Sequence, residues 1–142
     1  MELRFMERAV ALARQGSAGP FGCVIVKDGE IVGEGYARVF EDHDPTAHGE
    51  MVAIRRGLAD HGPDALRGST LYTSGESCAM CMGAILWCHM ARLVFAASIA
   101  QLATKIDQIM LTDADIAAKA QFAPISITGG VLADEAMALF TK

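Results

Sequence analysis

The hydrophobic and polar positions change their period several times along the chain, and each change marks a predicted element. Residues 2–15 repeat apolar side chains at helical spacing and stop at Gly16, which predicts an amphipathic helix. Residues 21–26 and 31–36 are apolar runs on either side of a turn that contains Asp28-Gly29. Because Asp-Gly between apolar runs is a strong hairpin signal, this stretch is predicted to form two antiparallel strands.

The rest of the chain alternates predicted helices with short apolar strands. Further helices are predicted from the end of a polar loop up to residue 59, over 78–89, after Thr112 and over 131–140. Further strands are predicted over 70–73, 93–97 and 125–128, whereas most of 98–122 has no readable period. This order predicts an α/β fold in three layers, α/β/α. Its central mixed sheet has two antiparallel strands first and then parallel strands joined by right-handed crossovers.

Composition narrows the class of protein. The chain has 142 residues, 52% hydrophobic and 20% charged, which suits one folded domain over residues 1–142 and excludes a disordered chain. The net charge of −5 disfavours a dedicated nucleic-acid binder. The charged start and the lack of an apolar run of about 20 residues predict no signal peptide and no membrane partner. Four cysteines without a secretion signal indicate the cytoplasm, where metal binding or catalysis is commoner than a disulfide.

Two short motifs carry the candidate chemistry. His48-Gly49-Glu50 opens one predicted helix, and Cys78-Ala79-Met80-Cys81 opens another. Cysteines three apart share a helix face, and the positive end of the helix dipole favours their thiolates. Together with His48 they form a three-ligand zinc site, whose open fourth position is typical of catalytic zinc. Glu50 points away from His48 on the helix, so it avoids ligation and is placed to transfer protons.

Each motif alone has a simpler interpretation. A Cys-x-x-Cys pair can be a redox centre, and a His-x-Glu sequence can be a helix cap with a surface carboxylate; their combination favours catalytic zinc. Cys23 and Cys88 are predicted to be small core residues, and Trp87 a residue of the core or of a dimer interface. The other histidines are expected at the surface or at helix ends: His43, His61 and His89.

These motifs, in this order, resemble the zinc nucleobase-deaminase signature H-x-E…P-C-x-x-C. Over nearly its whole length the chain is similar to the zinc-dependent cytidine/deoxycytidylate deaminase-like superfamily, and most similar to bacterial guanine deaminases and tRNA adenosine deaminases. Residues 19–29 resemble the opening of guanine deaminases, whereas 44–50 and 80–85 are similar to both groups. The resemblance implies a mixed five-stranded sheet between helical layers and a homodimer.

The resemblance also implies roles for individual residues. His48, Cys78 and Cys81 would bind one Zn²⁺ per chain, and Glu50 would be the catalytic proton carrier. Two positions near these motifs depart from the family pattern. Ser77 replaces the proline of the signature, and Gly49 replaces the commoner alanine.

A third departure concerns the substrate. Ala37 stands where relatives carry an asparagine that hydrogen-bonds the base. We therefore expect Tyr36 or Arg38 to orient the substrate, and we count Gly49 among the substrate contacts. Phe21 is expected beside the pocket, where a flat base could stack on its ring.

Three functions compete at this point. The favoured one is a zinc-dependent deaminase that releases ammonia from a free aminated nucleobase or related small heterocycle and is most like a guanine deaminase, which converts guanine to xanthine. Cytosine, isocytosine, a pterin or a triazine are the alternative small substrates. The second is a tRNA-specific adenosine deaminase, which residues 127–135 resemble, but the net charge of −5 makes tRNA an unexpected partner. The third is a structural zinc scaffold, which has no use for Glu50.

Overall fold

The computed structural model describes residues 2–140, in which five strands form one mixed sheet between two layers of helices. The helices are α1 (Leu3–Ala13), α2 (Gly49–His61), α3 (Ala79–Trp87), α4 (Ile99–Leu102), α5 (Asp113–Ala117) and α6 (Ala133–Ala138). The strands are β1 (Gly22–Lys27), β2 (Glu30–Tyr36), β3 (Thr70–Gly75), β4 (Arg92–Ala97) and β5 (Ser126–Thr128). None of the helices in this part of the chain is long and apolar enough to cross a membrane.

The sheet has the strand order β2-β1-β3-β4-β5. Strand β1 is antiparallel to both of its neighbours, whereas β3, β4 and β5 run parallel. The predicted α/β class and the mixed five-stranded sheet are therefore confirmed, as is the change from antiparallel to parallel pairing.

Two cores form because successive strand residues face opposite sides of the sheet. Val24 and Val26 of β1 pack against α1 and the chain around α6, whereas Cys23 and Ile25 pack against α2 and α3. Both faces of β1 are thus covered, and its residues form a continuous apolar run. The second core matters for function, because it holds α2 and α3 side by side on one face.

The structure differs from the predicted elements mainly at helix ends and in the segment 98–122. The closing helix is shorter than its pattern, at six residues rather than the ten of 131–140. Helix α4 was not predicted, because a four-residue helix shows no hydrophobic period. It is held instead by a capping box between Ser98 and Gln101. Helix α5 begins after Thr112, as predicted.

The residues expected in the core divide into two groups. Cys23 is fully buried, as predicted, and Cys88 is half-buried at the end of α3. The core interpretation of Trp87 is wrong: the side chain is 73% exposed and stacks on Phe122 with ring centroids 4.8 Å apart. It lies outside because the preceding residues of α3, Ile85 and Leu86, occupy the core-facing positions.

Candidate active site

The candidate metal ligands meet because two helices start at the same edge of the sheet. Strands β2 and β3 are both antiparallel to β1, so they run in the same direction, and α2 and α3 follow them. His48 directly precedes α2, Cys78 directly precedes α3, and Cys81 lies in the first turn of α3. His48 and Cys78 are the N-cap residues of these helices, but their side chains make no capping hydrogen bond and are free to converge.

The distances between the donor atoms fit a zinc ion. His48 Nδ1 lies 3.5 Å from Cys78 Sγ and 3.7 Å from Cys81 Sγ, and all three donor atoms lie within 4.8 Å of one another. Tetrahedral zinc with bonds of about 2.3 Å to sulfur and 2.0 Å to nitrogen places sulfur and nitrogen about 3.5 Å apart. Two thiolates and one imidazole are also the ligand chemistry that zinc prefers.

Protons and a metal compete for the same sulfur atoms. A hydrogen bond from Cys81 lowers the pKa of Cys78 to about 4, with further help from His48, although burial opposes the shift. The same hydrogen bond, together with burial, raises the pKa of Cys81. The pair therefore holds one proton without a metal, and zinc binding requires that proton to leave.

Glu50 lies beside the three donors without joining them. It is in the first turn of α2, is buried, and lines a cavity together with His48 and Cys78. Burial raises its pKa, and the nearby Ser77 acts in the opposite direction, although the Ser77 hydroxyl does not reach hydrogen-bond geometry with any described group. A carboxyl group with a raised pKa suits proton transfer near neutral pH.

The cavity in front of these residues has a volume of about 300 Å³. Phe21, Ala37, Val39 and Pro45 give it an apolar lining. Asp107, Gln108 and Glu76 add polar groups to the lining. A volume near the lower end of about 300–1,000 Å³ for ligand pockets suits a small molecule.

The residues predicted to contact the substrate differ in whether they line the cavity. Phe21 lines the cavity, with its ring edge-on to Phe140 at 5.8 Å. Tyr36 and Arg38 do not line it, because Ala37 between them takes the inward position and neighbouring residues of an extended chain point away. Arg38 instead donates to Tyr36 Oη at 3.1 Å and pairs with Asp42. Neither side chain is therefore among the described residues that line the cavity, and the expectation that one of them orients the substrate stays a prediction.

Gly49, which is predicted to contact the substrate, lies where α2 packs on the chain that enters β1. It is buried at the start of α2, and a Cβ atom there would lie 3.2 Å from the carbonyl oxygen of Phe21. That spacing is tight for a Cβ contact, so the glycine allows close packing of α2 on the chain that enters β1. It is not among the residues lining the cavity within the described chain.

Two buried acids of the site were not found from the sequence. Glu76 accepts hydrogen bonds from the backbone N–H groups of Ile99 at 2.8 Å and Asp113 at 2.7 Å. Asp113 accepts one from the backbone N–H of Ser77 at 3.1 Å, and burial next to Glu76 raises the pKa of Asp113 to about 8. Glu76 stands two residues before a ligand, which is a weak local signal. Asp113 lies 36 residues from Ser77, and no sequence pattern links them.

Three zinc-compatible donors next to a cavity that a buried carboxyl group also lines are the arrangement typical of a catalytic zinc site. The chain belongs to the cytidine and deoxycytidylate deaminase family, whose zinc-binding region matches residues 1–97. The family resemblance that the motifs indicate is therefore confirmed, and so is zinc as the metal of the site.

Individual relatives differ in their substrates. The chain is 47% identical to guanine deaminase of Bacillus subtilis over 97 residues, which cover 66% of this chain and 62% of that protein. It is 42% identical to tRNA-specific adenosine deaminase of Haemophilus influenzae over 99 residues, 67% of this chain and 57% of that protein. The matches thus span about six tenths of these relatives. The solved guanine deaminase of Nitrosomonas europaea superposes with a TM-score of 0.85 at 25% identity, covering 99% of this chain and 82% of that one.

Proposed function

We propose that the protein is a zinc-dependent hydrolytic deaminase of a free aminated heterocycle, with guanine, converted to xanthine, as the preferred candidate. The observation that carries this proposal is the position of Glu50, buried beside the His48, Cys78 and Cys81 donors and lining the same cavity. A purely structural zinc site has no need for a buried proton carrier next to a cavity.

The proposed reaction replaces an amino group on a ring carbon with oxygen from water. When bound, zinc supplies Lewis acidity that makes water a nucleophile near neutral pH. Glu50 accepts a proton from the attacking water and donates a proton to the ring or the leaving amine, and ammonia departs as the carbonyl product forms. The apolar lining includes the ring of Phe21, on which a flat base can stack.

The polar groups of the cavity suit the edge of a small heterocycle. Ala37 offers no side-chain hydrogen bond, whereas Asp107 and Gln108 add a carboxylate and an amide to the lining, and the Gln108 amide donates to the Asp107 carbonyl oxygen at 2.8 Å. A carboxylate accepts from ring N–H and amino groups, and an amide both donates and accepts. Guanine and related amino-substituted rings carry such groups around their edge.

Adenosine in a tRNA anticodon arm is the second candidate substrate, and the Haemophilus influenzae relative supports it. The charges in the loop beside the cavity do not favour tRNA binding. Glu41, Asp42 and Asp44 lie there, and the nearby arginines Arg38 and Arg55 are paired with Asp42 and Asp44. An RNA backbone is bound by free cations, because each neutralised phosphate releases counterions. A free base carries no phosphate and meets no such barrier.

An ammonia-release assay over guanine, cytosine, isocytosine, a pterin, an aminotriazine and a tRNA anticodon arm tests the substrate. We expect deamination of at least one free base and none of the tRNA arm. Inosine formation in the tRNA arm, with every free base untouched, would contradict the proposal.

Because one added hydrogen bond is worth about 1 kcal/mol, Ala37→Asn is expected to raise kcat/KM for guanine about five- to tenfold.

We also propose that two copies form a homodimer through the surface around Trp87. Trp87 and Phe122 stack in an exposed aromatic pair, 73% and 52% exposed, and exposed aromatic patches are typical of interfaces. Sedimentation velocity is expected to find a dimer that Trp87→Glu converts to monomer. Phe40→Glu, which changes an exposed aromatic residue elsewhere, is the matched control. A monomeric wild type, or a dimer unaffected by Trp87→Glu, would contradict this interface.

A further inference from the structure

A reciprocal pair of hydrogen bonds joins the segment before α3 to the start of α5. The Glu76 carboxylate accepts the backbone N–H of Asp113 at 2.7 Å, and the Asp113 carboxylate accepts the backbone N–H of Ser77 at 3.1 Å. The other oxygen of Glu76 accepts the N–H of Ile99 at 2.8 Å. Two adjacent residues of the segment, Glu76 and Ser77, are therefore tied to a distant part of the chain from both directions.

Asp113 is an unusual residue to bury. Its side chain is completely buried, and no cation pairs with it among the described residues. Desolvation of a carboxylate is costly, and the raised pKa of Asp113 reflects that cost. Within residues 2–140, the buried side-chain oxygen or nitrogen atoms without a hydrogen-bond partner are Asp113 Oδ1 and Ser77 Oγ. Stability alone does not favour such a residue, which points to a role in the site.

The residue that Asp113 holds directly precedes a metal ligand. Ser77 is fully buried and lies between Glu76 and Cys78, and Cys78 Sγ stands 3.5 Å from His48 Nδ1. Rotation of the peptide group between Glu76 and Ser77 would move Cys78 relative to His48. A hydrogen bond to the Ser77 N–H limits that rotation.

We propose that Asp113 is a positioning residue of the zinc site. Its carboxylate accepts the backbone N–H of Ser77 and thereby keeps Cys78 Sγ close to His48 Nδ1. The hydroxyl group of Ser77 has no part in this contact; the backbone donor does. Proline at position 77 has no N–H, so Ser77→Pro deletes the donor and leaves Asp113 with nothing to hold. The assignment rests on the proposed function only for its activity readout.

The experiment is a double-mutant cycle in the zinc-loaded full chain, read by the rate of zinc transfer to a chromogenic chelator. Partners behind metal ligands typically contribute about 10–100-fold to metal affinity or activity, so Asp113→Ala is expected to speed zinc loss by about that factor. Asp113→Asn keeps an oxygen acceptor and is expected to retain most of the wild-type behaviour. In the Ser77→Pro background, Asp113→Ala is expected to change the rate less than about threefold, because no donor remains to be satisfied.

Two controls separate the backbone contact from other effects. Ser77→Ala keeps the N–H and removes only the hydroxyl, so it is expected to leave zinc loss unchanged. Asp115→Ala removes the other acid of α5 that accepts a backbone N–H, from Thr112, without touching Ser77, and is expected to do the same. Where the chain deaminates a base, Asp113→Ala is expected to lower kcat more than it changes KM, because Asp113 does not line the cavity.

The proposal is overturned if Asp113→Ala speeds zinc loss equally in both backgrounds, or if Asp113→Asn behaves like Asp113→Ala. Should Asp113→Ala fail to fold, recovery of folded protein on adding Ser77→Pro supports the proposal, and failure in both backgrounds overturns it. If the wild type deaminates none of the bases, the proposed function fails while zinc transfer still decides the role of Asp113.

Discussion

Replacement of Glu50 by glutamine is expected to lower deaminase turnover by about 10²–10⁴-fold while zinc remains bound, because general acid–base transfer contributes about that much. Glutamine keeps the size of the side chain but neither accepts nor donates the proton at the same atom. The carboxyl group lies outside the group of three donors, so its loss leaves the ligands unchanged. Turnover with the deaminated base and zinc content by elemental analysis are the two measurements.

Glu41→Gln is the matched control, because Glu41 is exposed in the loop beside the cavity. Its carboxylate accepts a hydrogen bond from the Ser17 hydroxyl. That variant is expected to keep wild-type turnover. Loss of zinc in Glu50→Gln would make Glu50 a ligand, contrary to the role proposed for it. Full turnover in Glu50→Gln would assign the proton transfer to another group.

Replacement of Cys81 by alanine is expected to reduce the zinc content from about one ion per chain to less than a tenth of that. Only two protein donors would then remain, whereas zinc sites of this kind use three protein ligands and one open position. Among the described residues, His48, Cys78 and Cys81 are the members of the donor group, so no further side chain is placed to replace the lost sulfur. Activity is expected to disappear with the metal.

Cys88→Ala provides the comparison, because it removes a half-buried thiol that takes no part in the donor group. It is expected to keep its zinc. Elemental analysis after dialysis against a weak chelator gives the result for both variants. An unchanged zinc content in Cys81→Ala would mean that the metal sits elsewhere or is held by other residues.

The sequence predicts those parts of the site whose residues lie within a few positions of one another along the chain. Cys78 and Cys81 are three residues apart at the start of a helix, and His48 and Glu50 are two apart at the start of another. Helix geometry converts these spacings into directions, so the motifs predict which side chains can converge. The brief helix α4 has no such period and was not predicted.

Strand alternation explains why Tyr36 and Arg38, which are predicted to orient the substrate, do not line the cavity. The absence of an asparagine at Ala37 led to Tyr36 and Arg38 as replacements, yet neighbours of an inward residue face away from the cavity. Two of the polar residues that line it, Asp107 and Gln108, come from the segment that has no readable period. They reach the cavity through the packing of that segment, which hydrophobic period does not encode.

Periodicity and spacings within one helical turn predict the layers, the strand count and the motifs of the metal site, and the order of those motifs carries the resemblance to the family. The groups that stand behind and around those motifs depend on how distant segments pack together. The contact between Asp113 and Ser77 joins residues 36 positions apart, and the exposure of Trp87 depends on which face of α3 meets the sheet. Contacts of this kind arise when separate segments pack together, so their partners cannot be identified from local pattern alone.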